Sequence, residues 1–291
     1  MDIAKEDKVK IITMNTLHNP FKLEERITRI AYEIKEENPD IVCLQEILFD
    51  LNNDTESSSL NIITEITGLS IVATDPYYDR YGHRSGTVIL SRFNLCESGA
   101  GFIPEDVTLS CYNSCYVVLE SDSHRPVIVF SIHGAWRGER EHIREKQFLA
   151  LNAHANELET KYSDRNPIVV FCGDFNAVPD SSSLRFLKGL SSLEGQGTFW
   201  IDCWEVVGDG EGITSDPLSK LGQLTAVNCG IMMPHMIPAR RIDYTLVKDW
   251  AYGRAGSPLS SKIIGNIVGD EGYTPSDHYG ICSELWNPRD F

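Results

Sequence analysis

Residues 169–182 read VVFCGDFNAVPDSS. Four apolar residues, Val169 to Cys172, stop abruptly at Gly173, and Asp174 and Asn176 follow two positions apart. The run suits a fully buried strand. Its tip carries a carboxylate and an amide, which a rigid strand end positions better than a free loop does.

Working outward, residues 139–161 are helical by periodicity, with Ile143, Phe148, Leu151, Ala155 and Leu158 inward. VKIITMN (9–15) is a buried strand ending in Asn15. In LEERITRIAYEIKEEN, Leu23, Ile27, Ile30 and Ile34 fall at helical spacing, with charges on the other face, and Pro39-Asp40 ends the helix. IVCLQE (41–46) is a second buried strand, which completes a βαβ-type unit. After a polar loop at 51–59 and a short helix, LNIITEITG, residues 75–86 read as a long loop rich in aromatics, ahead of the strand TVILSR. CYVVLES and PVIVFSIH are two strands around a turn at 122–125. Between 208 and 238 Gly, Pro, Ser and Met dominate, the composition of a long loop or insertion and often of a functional one. RRIDYTLV (240–247) restores a strand, and YTPSDHYGICSEL gives a loop and a last strand. No repeat or linker interrupts the chain, so one domain over residues 1–291 is expected.

The 291 residues carry 42 acidic and 26 basic side chains, a net charge of −16. That balance argues against a protein that grips long nucleic acid non-specifically, where a basic face supplies most of the affinity. Hydrophobic residues make up 42%, enough for a sizeable core. Eight scattered cysteines form no C-x-x-C pair, and Cys43, Cys172 and Cys282 sit in apolar runs; this is the usage of a reducing compartment. The charged N-terminus has no signal-peptide pattern, and no apolar run is long enough for a membrane anchor. A cytoplasmic protein is expected, with no obligate protein partner.

Several strands end in residues suited to phosphate or metal: Asn15, Glu46, His133 and the Asp174/Asn176 pair, with Asp243 early in its strand and Asp277-His278 just before the last one. Strands gathered into sheets can bring such tips into one crevice. Glu46, Asp174 and Asp277 are hard oxygen donors without a thiol or paired-histidine motif, which favours Mg²⁺ or Mn²⁺ over zinc. A divalent ion relieves carboxylate repulsion and polarises a phosphoryl oxygen. His133 and His278 add donors for developing charge.

In this order, TMN, LQE, SIH, GDFN, RRIDY and SDH resemble the endonuclease/exonuclease/phosphatase superfamily, from Asn15 to His278. Its members include abasic-site endonucleases, tyrosyl-DNA phosphodiesterases, deadenylases, neutral sphingomyelinases and inositol-phosphate phosphatases. The resemblance implies a four-layer α/β sandwich, two mixed β-sheets face to face and flanked by helices. It implies Glu46 as principal metal ligand with Asn15 beside it, and Asp277 as a further metal-linked carboxylate. Asp174 would orient or deprotonate the attacking water, with Asn176 as partner. His278 would donate to the phosphoryl oxygen, and Asp243 would fix its tautomer. His133 stands where many relatives also carry histidine. Arg84 and Arg144 are candidates to reach the substrate phosphate. The aromatic loop at 75–86 and GIMMPHM (230–236) flank the expected mouth. The implied function is a Mg²⁺-dependent phosphoester hydrolase. Its substrate would be a nucleic acid, nucleotide, inositol phosphate or lipid headgroup. A DNA or RNA nuclease is the narrower alternative, and an inactive binding protein on the same fold the remote one.

Overall fold

Every second residue of the first strand faces a different layer. In β1 (Lys8–Asn15), Val9 and Ile11 join a core shared with the opposite sheet, whereas Ile12 and Met14 pack under a helix. The same period of two runs through β2 (Ile41–Leu48), β7 (Val127–His133) and β8 (Ile168–Asp174), so each is buried on both sides. The computed structural model describes residues 3–49, 57–78, 84–100, 113–120, 125–231, 233–248 and 255–288.

One sheet has the order β11 (Pro258–Ile264), β12 (Gly280–Trp286), β1, β2, β4 (Arg84–Ser91), β3 (Ser70–Tyr78). The other runs β5 (Asn94–Ala100), β6 (Ser114–Glu120), β7, β8, β10 (Asp243–Lys248), β9 (Trp200–Asp202). Each sheet has one parallel pair, β1 with β2 and β7 with β8, and its other pairs are antiparallel. Parallel pairs need crossovers, supplied by α1 (Leu23–Glu37) and α3 (Glu141–Lys161). Three apolar layers result. Val9, Ile41, Val117 and Val170 fill the space between the sheets. Ile27, Ile30 and Leu60 seat α1 and α2 (Ser58–Thr67) on the first sheet. Phe148, Leu151 and Leu184 seat α3 and α4 (Ser182–Leu187) on the second. The α/β sandwich expected from the resemblance is the observed fold. Cys43, Cys172 and Cys282 are buried and free, as are Cys115 and Cys203. No helix among the described residues is long and apolar enough to cross a membrane.

Three expectations need correction, and two strands were not read. Residues 75–86 are not simply a loop: Asp75 to Tyr78 end β3, and Arg84 to Gly86 begin β4, with Tyr78 opposite Arg84. Turn formers misled there because β3 is an edge strand, where Pro76 is tolerated. Opposite it Gly86 leaves no room for a side chain, since a Cβ would lie 2.3 Å from the Asp75 carbonyl oxygen. The edge strands β5 and β11 were not legible as strands, because edges carry polar residues in place of an apolar run. The 208–238 stretch holds a helix, α6 (Lys220–Asn228), capped by the Ser219 hydroxyl accepting from Gly222 N at 3.0 Å. Arg26 does not lie on a solvent face of α1 but is fully buried. The tip of the 75–86 stretch, most of the 51–59 loop, most of the 122–125 turn, Cys111 and Met232 lie outside the described residues.

Candidate active site

At one end of the second sheet His133, Asp174 and Asp243 stand side by side, in register across β7, β8 and β10. All three have the parity that faces the opposite sheet, and Asn15 at the end of β1 faces them. Gly173 allows this packing: a Cβ there would lie 1.9 Å from the Ile132 carbonyl oxygen, and its φ is +148°.

Glu46 arrives differently. Strict alternation along β2 would turn it toward the helices with Val42 and Leu44. The ladder between β2 and β4 slips between Leu44 and Ile47, and Glu46 takes a φ of +59°. Its carboxylate is thereby carried to the sheet interface. There the Asn15 side-chain amide donates to Glu46 Oε1 and Asp174 Oδ2, both at 3.1 Å. His18 completes the cluster, its backbone N donating to Glu46 Oε2 at 3.1 Å and its ring Nδ1 against the same oxygen. Burial would raise the Glu46 carboxyl, but His18, His133 and Asn15 together hold it well below the ordinary value.

Asn176 has a φ of +51°, and its backbone N donates to Asp174 Oδ1 at 2.9 Å. Its side chain donates to Asp174 Oδ2 at 3.2 Å and to the Gly134 carbonyl at 3.0 Å. His133 Nε2 lies 3.6 Å from Asp174 Oδ2 and 3.7 Å from Glu46 Oε1. His278 Nδ1 is 2.9 Å from Asp243 Oδ2, and its Nε2 is 3.9 Å from Asp174 Oδ2. Burial disfavours the imidazolium, yet Asp243 and Asp174 raise the His278 pKa well above normal. Burial pushes the Asp243 carboxyl up to about 6 against the pull of His278. Asp277 is also raised by burial, opposed by His278 and reinforced by the charge of Glu46.

These side chains meet at a cavity of about 650 Å³. Glu46, His133, Asp174, Asn176, Asp277 and His278 line it; Asn15 and Asp243 are buried behind the wall. Ligand atoms of Asp174, Asp243 and His278 all lie within 4.8 Å of one another, a grouping that differs from Glu46, Asn15 and Asp277. The Asp243–His278 hydrogen bond already accounts for two of its members.

Arg84 and Arg144, expected at the phosphate, do not line this cavity. Arg84 is a buried, strand-paired position at the start of β4. Arg144 spends its guanidinium on the 135–138 loop, donating to the Ala135, Arg137 and Gly138 carbonyls and to Glu141. Several contributors were missed in the sequence. Arg26 donates to five carbonyls, those of Thr16, Leu17, Asn19, Phe21 and Pro275, and so ties the loop after Asn15 to the loop before His278. Its position four residues before Ile30 put it on the apolar side of α1, which was the available signal. The Thr214 hydroxyl accepts from the Ile242 and Asp243 backbone at 3.0 and 3.1 Å. Ser276 Oγ donates to the Asn15 carbonyl at 2.7 Å and accepts from His278 N at 3.3 Å. Nothing in the spacing announced Thr214, Ser276 or His18.

The pattern of the Endonuclease/Exonuclease/phosphatase family matches residues 12–278. No curated protein sequence matches the chain. Among solved structures, TDP2 from C. elegans is similar with a TM-score of 0.70 and 19% identity, over 97% of this chain and 76% of that one. D. rerio TDP2 complexed with a single-strand DNA product gives 0.68 and 20%, over 96% and 98%. The human Nocturnin catalytic domain with bound sulfate anion gives 0.69 and 19%, over 97% and 94%. At these identities the likeness is one of fold. The chain belongs to the endonuclease/exonuclease/phosphatase family of enzymes, which hydrolyse phosphoester bonds.

Proposed function

We propose that this protein hydrolyses a phosphodiester or phosphomonoester by in-line attack of water, with Mg²⁺ or Mn²⁺ as cofactor. The observation that carries the reading is the convergence of Glu46, His133, Asp174, Asn176, Asp277 and His278 on one cavity. The donor set fits a hard cation: Glu46 and Asp277 offer carboxylate oxygens, and the charge of Glu46 raises the Asp277 carboxyl. Glu46 and Asp277, with Asn15 behind them, would hold such an ion, and it would supply Lewis-acid polarisation of a phosphoryl oxygen. The chain's own groups do the rest. Asp174, steadied by Asn15 and Asn176, orients the water and takes its proton as the new P–O bond forms and the bond to the leaving group breaks. Asp243 holds Nδ1 of His278, so that Nε2 is the donor left for a phosphoryl oxygen. His133 adds a second donor. The free cysteines, five of them buried, support a cytoplasmic setting.

The test is hydrolysis of bis(p-nitrophenyl) phosphate with and without Mg²⁺. Glu46→Ala, Asp174→Asn and His278→Ala should each lower kcat/KM by about 10²–10³ or more with the melting temperature retained. Variants that turn over as fast as the parent would remove the assignment. Calorimetric titration with Mg²⁺ separates an enzyme from an inactive scaffold, which would take up none.

A further inference from the structure

The cavity has a second half that the chemistry above does not use. Beyond the residues named above its lining includes the apolar side chains of Leu17, Trp136, Pro217, Ala226, Ile231 and Ile237, with Arg137, Arg140, Asp216, Thr225 and Asn228 among them. Much of that lining comes from the 208–238 insertion. Its helix α6 is pinned down, with Leu221 packed against Leu17 and Tyr273 in a small buried cluster, and with Lys220 donating to the Glu271 carbonyl at 3.0 Å. Leu17 adjoins His18, and Gly222, Thr225, Ala226 and Asn228 of α6 form part of the cavity lining.

Arg240 stands where the two halves meet. Its backbone is fixed by Ser215, N to O at 3.0 Å and back at 2.9 Å, and Ser215 also bridges to His278. The same short clamp thus holds Arg240 and His278. Arg240 lines the cavity, its Nε is buried without an acceptor, and among the described residues the side chain makes no hydrogen bond or ion pair. Its neighbours behave otherwise. Arg26 and Arg144 are spent on carbonyls, and Arg241 donates to Asp202 at 2.6 Å. Burial weakens the Arg240 charge, with Asp174 acting the other way. A half-buried fork with an orphaned donor is an expensive thing to leave facing a cavity unless an anion completes it.

We propose that Arg240 grips the phosphoryl oxygens of the substrate, and that the α6 wall selects a compact phosphoester whose organic part is apolar or aromatic, not the interior of a polynucleotide. This rests on the hydrolase reading above.

The experiment has two readouts, with inorganic phosphate and bis(p-nitrophenyl) phosphate as probes. Calorimetry should show phosphate binding weakened about tenfold or more in Arg240→Met and partly restored in Arg240→Lys, which keeps the charge but loses the fork. Turnover of the small diester should fall about 10²-fold in Arg240→Met, at unchanged melting temperature because the side chain bonds to nothing in the fold. The parent should prefer the small diester to a single-stranded oligonucleotide in kcat/KM. Phosphate binding that ignores Arg240, or none in the parent, overturns the anchor; an oligonucleotide preference overturns the compact substrate. Arg240-dependent phosphate binding with no turnover of either ester supports the anchor and overturns only the hydrolase reading.

Discussion

Arg26 shows how much one side chain holds. It sits near the start of α1 with its guanidinium fully buried, and its five acceptors are carbonyls from the two loops that carry Asn15 and His278 toward each other. Burial lowers its pKa, countered by Asp277 and Glu46, so the cation also offsets buried carboxylates in the site. Arg26→Met should cost about 3–5 kcal/mol in urea unfolding, because carbonyls and carboxylates are left without their partner. Arg26→Lys should recover only part, since an ammonium cannot span that fan of acceptors. A variant of either kind as stable as the parent would mean that water replaces the guanidinium. Glu46 and Asn176 are the complementary case. Both adopt left-handed backbone that non-glycine residues avoid, and both aim a polar side chain at Asp174 or its neighbours. Of the eight non-glycine residues with positive φ among the described ones, four line the cavity: Leu17, Glu46, Arg137 and Asn176.

At the scale of the element, sheet geometry explains the site better than any single loop does. Alternation along β1, β7, β8 and β10 sends Asn15, His133, Asp174 and Asp243 into the space between the sheets, and register aligns the last three. The far sheet face is organised by charge as well. On β12, Glu284 lies opposite Lys10 of β1 and contacts Lys8 and Lys10 at 3.2 and 3.3 Å. Burial raises its carboxyl, but the two lysines bring it below the ordinary value. A carboxyl depressed by folding contributes stability that is present above its unfolded pKa, about 4.3, and is lost as pH falls through the lowered folded value. Glu284→Gln should therefore be less stable than the parent at pH 7, by about 1 kcal/mol or less for a pair this exposed, and the gap should close in acid. A gap independent of pH would show that packing, not charge, is what the substitution removes.

Across the whole molecule the layer between the sheets decides cooperativity. It is built from both halves of the chain, Val9, Ile11 and Ile41 meeting Val117, Val129 and Val170, so neither sheet has a complete core alone. Calorimetric unfolding should be one transition with equal calorimetric and van't Hoff enthalpies, and two resolved transitions would divide the chain into separate units. By itself the sequence determined the buried strands and the polar residue at the tip of each. Apolar runs that stop at Asn15, His133 or Asp174 are local patterns, and their order along the chain carries the family. It did not determine which face Glu46 would take, because the slip in the β2 ladder that turns it exists only once β4 is alongside. Nor could it tell Arg240 from Arg241: one meets Asp202 and the other meets the cavity, a choice made by where β9 and the Ser215 clamp lie. The place of α6 in the cavity lining likewise comes from tertiary contact, through Leu17 and Tyr273, far from α6 in the chain. Local periodicity reports what a residue must bury, whereas partners brought in from a distance decide what it faces.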